Sequence, residues 1–336
     1  MKQRLLIWLG LALSALMLYY SFRGVDVVAL GRGIARIGWK RPLAAATIYL
    51  ATFWVRGWRS GIIFREHHGV GFGMASVSVV ISYACNNLFP LKGGEMVRAL
   101  YLKHKAEIPK SISLGYICIE RVFDAIVIIW ILASCLMLAP ASRAALELRQ
   151  TLAVLWVAML GSLAGLIALI LWSQRLTCRI TAMTKSSRLP GVRFAGEKLC
   201  NFLLPFQSIK NIWVFLEILA ITVLIWTVEG LVFYIFLTPS AGAFSEAYIW
   251  MAVLSLSFLA PAAPGNIGLY QWVTLFVLEL FEVDKTDALS LGIVAQASQF
   301  LPITTLGVLL GICDGGRQLL RTFVSTAMRD VPDDTN

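Results

Sequence analysis

Residues 86–98 read NNLFPLKGGEMVR and interrupt an apolar segment that extends over residues 74–102. Proline removes a backbone hydrogen bond and glycine weakens a helix, so one helix is expected to end here and another to begin. Each piece is mostly shorter than the roughly 20 residues that a membrane-spanning helix needs. The stretch therefore predicts a re-entrant helical hairpin, which enters and leaves a bilayer on one side and keeps its broken backbone within protein or water.

A second interruption of the same kind lies at residues 259–268, which read LAPAAPGNIG within the apolar segment 248–281. In both stretches a proline precedes a glycine by four residues, which aligns Pro90 with Pro261. We predict a second re-entrant hairpin here. The predicted hairpin turns contain Pro90, Gly93, Gly94, Pro261, Pro264, Gly265 and Gly268.

The composition is that of a membrane protein. Of the 336 residues, 58% are hydrophobic and 14% are charged, and the net charge is +10. A water-soluble domain would carry more charge and less apolar surface. Because the basic residues flank apolar segments, we expect them to set topology and to contact anionic lipid headgroups, and we expect no nucleic acid partner.

Six further apolar segments are long enough to span a bilayer: residues 5–22, 42–58, 111–139, 151–172, 211–238 and 288–312. With the two hairpins they predict an all-α polytopic membrane protein of about six spanning helices. Most basic residues fall on the cytoplasmic side if both termini lie inside. That orientation puts Arg56 and Arg59 in a cytoplasmic connection. It leaves the basic segment 23–41 outside, where we predict an interfacial helix.

The order of these elements repeats along the chain. Residues 1–140 and 151–312 each contain a span, a basic amphipathic connection, a second span, a hairpin and a third span. Three crossings are an odd number, so the second half is predicted to be inverted relative to the first, as in many transporters. We treat residues 1–336 as a single membrane domain with a short cytoplasmic tail at 313–336.

Six charged residues fall within apolar segments, where charge is costly. They are Lys92, Glu95 and Arg98 of the first hairpin, and Glu120, Arg121 and Asp124 of the next span. One interpretation is that they neutralise one another and join the hairpin to the span. The other is that they line a polar cavity in which the basic residues bind phosphate. We adopt the second and predict that all six bind substrate.

Two polar residues of the second half complete the predicted site. Glu229 lies deep in the segment 211–238 without an adjacent base, and it is a candidate for proton coupling, either protonated or paired with Arg98 or Arg121. Asn266 aligns with Glu95 of the first hairpin and is a further substrate-binding candidate. The turn around Asn266 is of a type whose backbone N–H groups can hold an anionic headgroup.

No catalytic, metal or cofactor site is predicted. The six cysteines are scattered and form no CxxC pair, and the three histidines lie in polar connecting segments. We therefore expect a chain that needs no cofactor.

Three runs of residues resemble a known family: 86–98, 120–124 (ERVFD) and 261–268 (PAAPGNIG). In this order they are similar to the transmembrane domain of the lysylphosphatidylglycerol synthase family, also described as flippase-like membrane proteins. The similarity covers nearly the whole chain. It implies re-entrant helices in an inverted repeat, around a cavity through which lipids move between leaflets. The cavity residues it implies are Glu95, Arg98, Glu120, Arg121 and Asp124.

One departure from that family concerns chemistry. Its synthases add a large soluble aminoacyltransferase domain, whereas this sequence ends at Asn336, soon after the last predicted span. We therefore expect no aminoacyl transfer by this chain alone.

The leading hypothesis is a transporter: a lipid translocase that moves an anionic or glycosylated lipid between leaflets of the bacterial cytoplasmic membrane. One alternative is an intramembrane lipid-modifying enzyme that uses Glu120 and Asp124 as acid and base. Another is an accessory subunit of a lipid glycosyltransferase. The expected partner is the membrane lipid substrate, and a lipid-synthesising enzyme partner and a homo-oligomer stay open.

Overall fold

The computed structural model describes residues 2–89, 93–138, 152–186, 189–237, 243–260 and 262–313, and these residues are helical apart from short connections. The predicted boundary between the two halves falls outside the described residues. So do the turn residues Pro90 and Pro261 and the tail from residue 314 onward.

The helices of the first part are α1 (Lys2–Phe22), α2 (Val27–Ile37), α3 (Lys40–His68), α4 (Phe72–Leu88), α5 (Gly94–Ala106) and α6 (Lys110–Leu138). Those of the second part are α7 (Leu152–Ser186), α8 (Pro190–Leu203), α9 (Pro205–Ser208), α10 (Ile212–Tyr234), α11 (Ala243–Ser257), α12 (Leu269–Glu279) and α13 (Lys285–Cys313). Polar caps start some of them: Asp26 accepts a hydrogen bond from the Val28 N–H at α2, and Asn211 accepts one from the Trp213 N–H at α10.

Four of the described helices are long and apolar enough to cross a bilayer: α6, α7, α10 and α13. Helices α1 and α2 meet at 91° and make a fifth crossing if they count as one broken span. The predicted number of six is therefore four or five by length and composition. Helix α3 is not among them although it has 29 residues, because arginines lower its hydropathy. It continues to His68, so the prediction that Arg56 and Arg59 lie in a connecting segment is wrong.

Both predicted interruptions are present as breaks between two helices that pack together, α4 with α5 and α11 with α12. At the first break the Asn86 side chain accepts a hydrogen bond from the Gly94 N–H at 2.8 Å. At the second, a 3₁₀ turn (Pro264–Asn266) contains Gly265 at a φ of 68°, a left-handed conformation that favours glycine. The helices thus end and begin close to the proline and glycine residues of the two stretches.

Helices from the two parts of the chain pack in a reciprocal pattern. Helix α4 contacts α13, and α11 contacts α6. In the same way α2 contacts α13, and α8 contacts α6, while α3 and α10 contact each other. Small residues allow close approach: a side chain at Gly57 of α3 would overlap Ser76 of α4. The contact between α3 and α10 joins the two parts of the chain directly, and we call it the central seam.

Candidate functional site

Eight charged side chains from four helices, including both helices of the central seam, form a network that we call the charge network. They are Arg56 and Arg59 of α3, Glu95 and Arg98 of α5, Glu120, Arg121 and Asp124 of α6, and Glu229 of α10. The four arginines and four acids balance, so the network is formally neutral. Neutrality allows such a group to lie in an apolar interior, where unpaired charges would be very costly.

The Arg98 and Glu120 side chains form a fully buried pair that joins α5 to α6. Two guanidinium nitrogens donate to the two carboxylate oxygens at 2.6 and 2.9 Å, in the forked geometry that suits an arginine and a carboxylate. The Arg98 Nε also donates to the Ser78 hydroxyl, and its Nη2 donates to the Ser60 hydroxyl. Arg98 is 1% exposed, so its guanidinium has no face open to a phosphate. This geometry agrees with the first interpretation, an ion pair that holds hairpin to span.

A second buried pair connects three helices. Arg59 of α3 donates to both carboxylate oxygens of Asp124 of α6, at 2.6 and 3.2 Å. From α10, the Trp226 indole donates to Asp124 at 3.0 Å, and the Thr222 hydroxyl accepts from Arg59, also at 3.0 Å. Every element of the central seam therefore holds this aspartate in place.

The third pair joins Arg56 of α3 to Glu229 of α10. The predicted partners of Glu229, Arg98 and Arg121, are wrong, because both pair with acids of the first part of the chain. The Arg56 guanidinium also donates to the Tyr83 hydroxyl at 3.0 Å and lies 5.1 Å from the centroid of the Trp226 ring. Aromatic faces thus surround the buried cation.

Arg121 differs from the other three arginines because it is partly accessible. Its side chain is 38% exposed and that of Glu95 is 28% exposed. Its contacts with acids are long: 3.9 Å to Glu95 and 3.6 Å to Asp124. It donates to the Tyr83 hydroxyl at 3.3 Å, while its buried Nε has no hydrogen-bond partner among the residues that the structure describes. Arg121 and Glu95 form the accessible edge of the charge network and retain capacity for a ligand.

The second hairpin contributes neutral groups. The Gln271 side chain accepts from the Gly268 N–H at 2.8 Å and donates to Gln296 of α13, whose amide donates to the Gly265 carbonyl at 2.8 Å. The 3₁₀ turn that contains Asn266 also packs against α4 of the first hairpin. The second break therefore lies beside α4, and Asn266 belongs to a neutral turn that is hydrogen-bonded to α13.

The structure brings together most of the predicted site residues. Five belong to the charge network: Glu95, Arg98, Glu120, Arg121 and Asp124. Glu229 joins them through Arg56 and not through the predicted arginines. Lys92 lies outside the described residues.

Sequence reasoning missed the partners that α3 and α10 supply. Arg56 and Arg59 are buried, as is Trp226, and Tyr83 links Arg56 to Arg121. One signal for the arginines was available. Apolar residues continue after them, at positions 61–64 (GIIF), so the two arginines stand inside an apolar helix and not at its end.

Comparison with known proteins identifies relatives of this fold. The family model described as "Lysylphosphatidylglycerol synthase TM region" matches residues 7–307. The UPF0104 membrane protein MJ1078 of Methanocaldococcus jannaschii is 26% identical over 233 residues, which are 67% of this chain and 92% of that protein. Glycosyltransferase AglD of Haloferax volcanii is 35% identical over 89 residues, 25% of this chain but 14% of that protein. No solved structure matches the chain.

These matches confirm the family that the three motifs predict and the assignment to an integral membrane protein. The family model covers almost all of the described helices, from α1 to α13. The chain belongs to the lysylphosphatidylglycerol synthase transmembrane region family.

Proposed function

We propose that the chain is a lipid translocase, a transporter and not an enzyme, that carries an anionic or glycosylated lipid headgroup past the charge network. The observation that carries this proposal is the accessible edge, where Arg121 is partly exposed and loosely paired beside the first hairpin break. A partly exposed guanidinium suits a lipid phosphate. The acyl or prenyl chains of the substrate would stay in the bilayer.

The neutrality of the charge network determines how a phosphate would bind. An anion brings an additional negative charge, so it displaces an acid from Arg121 or arrives with a proton. Glu95 is the acid most readily displaced, since it lies 3.9 Å from Arg121 and is partly exposed. After displacement it would still accept a hydrogen bond from the Asn86 amide. Arg98 and Arg59 keep their own carboxylates and position the helices around the site.

Alternating access requires two states, and we infer that an inverted repeat provides them. Support comes from the reciprocal packing, in which the first arm of each hairpin contacts the last helix of the other half. The Arg56–Glu229 pair lies on the α3–α10 seam between the halves. Protonation of Glu229 would release Arg56, so proton coupling through this residue is part of the proposal.

The proposed location is the cytoplasmic membrane. The bacterial membrane of the sequence prediction stays a prediction, because the two relatives named above are archaeal.

The test is a leaflet assay on the purified chain in vesicles that contain fluorescent anionic phospholipid, with dithionite bleaching to measure movement. Arg121→Ala is expected to lower the rate about tenfold or more, because loss of a charged hydrogen bond to phosphate costs about 1.5–3 kcal/mol. Arg121→Lys retains the charge but not the fork and should fall between.

The control is Arg175→Ala, which removes an exposed arginine from α7 and should leave the rate unchanged. Equal rates for the wild type and Arg121→Ala would refute the assignment of Arg121. Absence of movement with every lipid tested would refute the translocase.

A second candidate function is support of a lipid glycosyltransferase. The similarity of 89 residues to a protein named Glycosyltransferase AglD favours it. Under this proposal the chain would hold or present a lipid-linked substrate to a partner enzyme. A co-purifying glycosyltransferase, with no lipid movement by the chain alone, would favour this candidate over the first.

A further inference from the structure

We propose a second lipid site at the elbow between α2 and α3, which binds an anionic bilayer phospholipid. The elbow carries an open groove with a volume of about 480 Å³. It is lined by Trp39, Lys40, Leu43, Ala44, Thr47 and Ile48. The groove is separate from the charge network, whose nearest member along α3 is Arg56.

Lys40 lines the groove, and we expect it, together with basic residues near it in the sequence, to select the headgroup. Residues 27–48 contain the four basic residues Arg32, Arg36, Lys40 and Arg41 and no acid. Asp287 of α13 lies 4.0 Å from Arg36, and the side chain of Arg36 is 75% exposed in that pair. A pair this exposed contributes little, so the basic end retains its capacity for an anion.

The helix start adds to this preference. Lys40 and Arg41 lie in the first turn of α3, which has no acidic residue and no side-chain cap at Trp39. Positive side chains at a helix N-terminus face the positive end of the helix dipole, which is unfavourable. An anion beside Lys40 and Arg41 would offset this repulsion.

The other end of the groove fits a lipid chain. Beyond Lys40 the lining is mostly apolar and follows α3 from Leu43 to Ile48. Trp39 is 69% exposed at the junction, as expected for a tryptophan at the level of the headgroups. A molecule that is negative at one end and apolar at the other matches this sequence of surfaces, and in a membrane protein that molecule is an anionic phospholipid.

Quenching of Trp39 by brominated lipids tests the site. The purified chain is placed in phosphatidylcholine vesicles that contain increasing brominated phosphatidylglycerol or brominated phosphatidylcholine. The Trp39 signal is the difference between the wild type and Trp39→Phe. We expect half-maximal quenching at about tenfold less brominated phosphatidylglycerol than phosphatidylcholine, because two basic residues each favour the anionic lipid.

The double variant Lys40→Gln, Arg41→Gln should lose most of this preference, to about twofold. The matched control, Arg175→Gln with Arg179→Gln, removes two exposed arginines from α7 and should keep it. Equal quenching by both lipids in the wild type would show general lipid contact and overturn the proposal. No Trp39-dependent quenching would do so as well. The readout needs no lipid movement, so its outcome is independent of the translocase proposal.

Discussion

Exposure separates two arginines that look alike in the sequence. Arg98 and Arg121 both lie within apolar segments near acids. Arg98 is nevertheless fully buried, with hydrogen bonds from each of its three guanidinium nitrogens, whereas Arg121 is partly exposed. Removal of one partner of a buried ion pair is strongly destabilising, because the other charge is left uncompensated. We therefore expect Arg98 to contribute to stability, while Arg121 is the residue proposed to bind substrate.

This division predicts losses of stability of different size for two substitutions. Arg98→Ala leaves the Glu120 carboxylate buried without a partner and should lower the free energy of unfolding by about 3–5 kcal/mol. Arg121→Ala should lower it by about 1 kcal/mol or less, because its ion pairs are partly exposed. Thermal unfolding in detergent, followed by intrinsic fluorescence, measures both.

A paired substitution provides the control. Arg98→Met combined with Glu120→Leu removes both charges and should recover much of the lost stability, because an apolar pair fills a similar space. If the double variant were as unstable as Arg98→Ala, uncompensated charge would not be the cause.

At the scale of the helices, the positions of the two breaks were predictable from the sequence, whereas the burial of two arginines of α3 was not predicted. Proline and glycine at 86–98 and 259–268 indicate locally where helices end, and the helices do end there. The burial of Arg56 and Arg59 depends instead on Glu229 and Asp124, which are 173 and 65 residues away. The apolar residues that follow the arginines indicate a continuing helix, but local hydropathy contains no information about such distant partners.

The close contact at the first break predicts that a methyl group added at Gly94 destabilises the protein. A Cβ at Gly94 would overlap the Ser82 carbonyl of α4 and the Asn86 side chain. Gly94→Ala should therefore force α4 and α5 apart and lower the free energy of unfolding by about 1–3 kcal/mol. Thermal unfolding measures the change.

Gly161 of α7 is the matched control, because a Cβ there meets open space. Gly161→Ala should leave stability unchanged or raise it, since alanine favours a helix by about 1 kcal/mol. Equal losses in both variants would contradict the packing explanation.

For the whole molecule, the reciprocal packing makes a prediction about sidedness. If the halves are inverted, both ends of the first hairpin face the cytoplasm and both ends of the second face outward. Single cysteines at Gly73 and His104 should then react with an impermeant maleimide in inside-out vesicles. Those at Phe244 and Glu279 should react in right-side-out vesicles.

These labelling experiments use a variant without the native cysteines, and all four positions should react after permeabilisation. Reaction of the two ends of one hairpin from opposite sides would make that segment a span and contradict the re-entrant prediction. Reaction of all four positions from one side would contradict the inversion.

The zero net charge of the charge network has an electrical consequence. A neutral network supplies no counter-charge of its own, so a headgroup with one negative charge would cross as a net current unless a proton accompanied it. A membrane potential of 100 mV, negative inside, changes the energy of one such charge by about 2.3 kcal/mol. Without that proton, the potential alone would favour anionic headgroups in the outer leaflet by a concentration ratio of roughly fifty. It would have no such effect on zwitterionic headgroups.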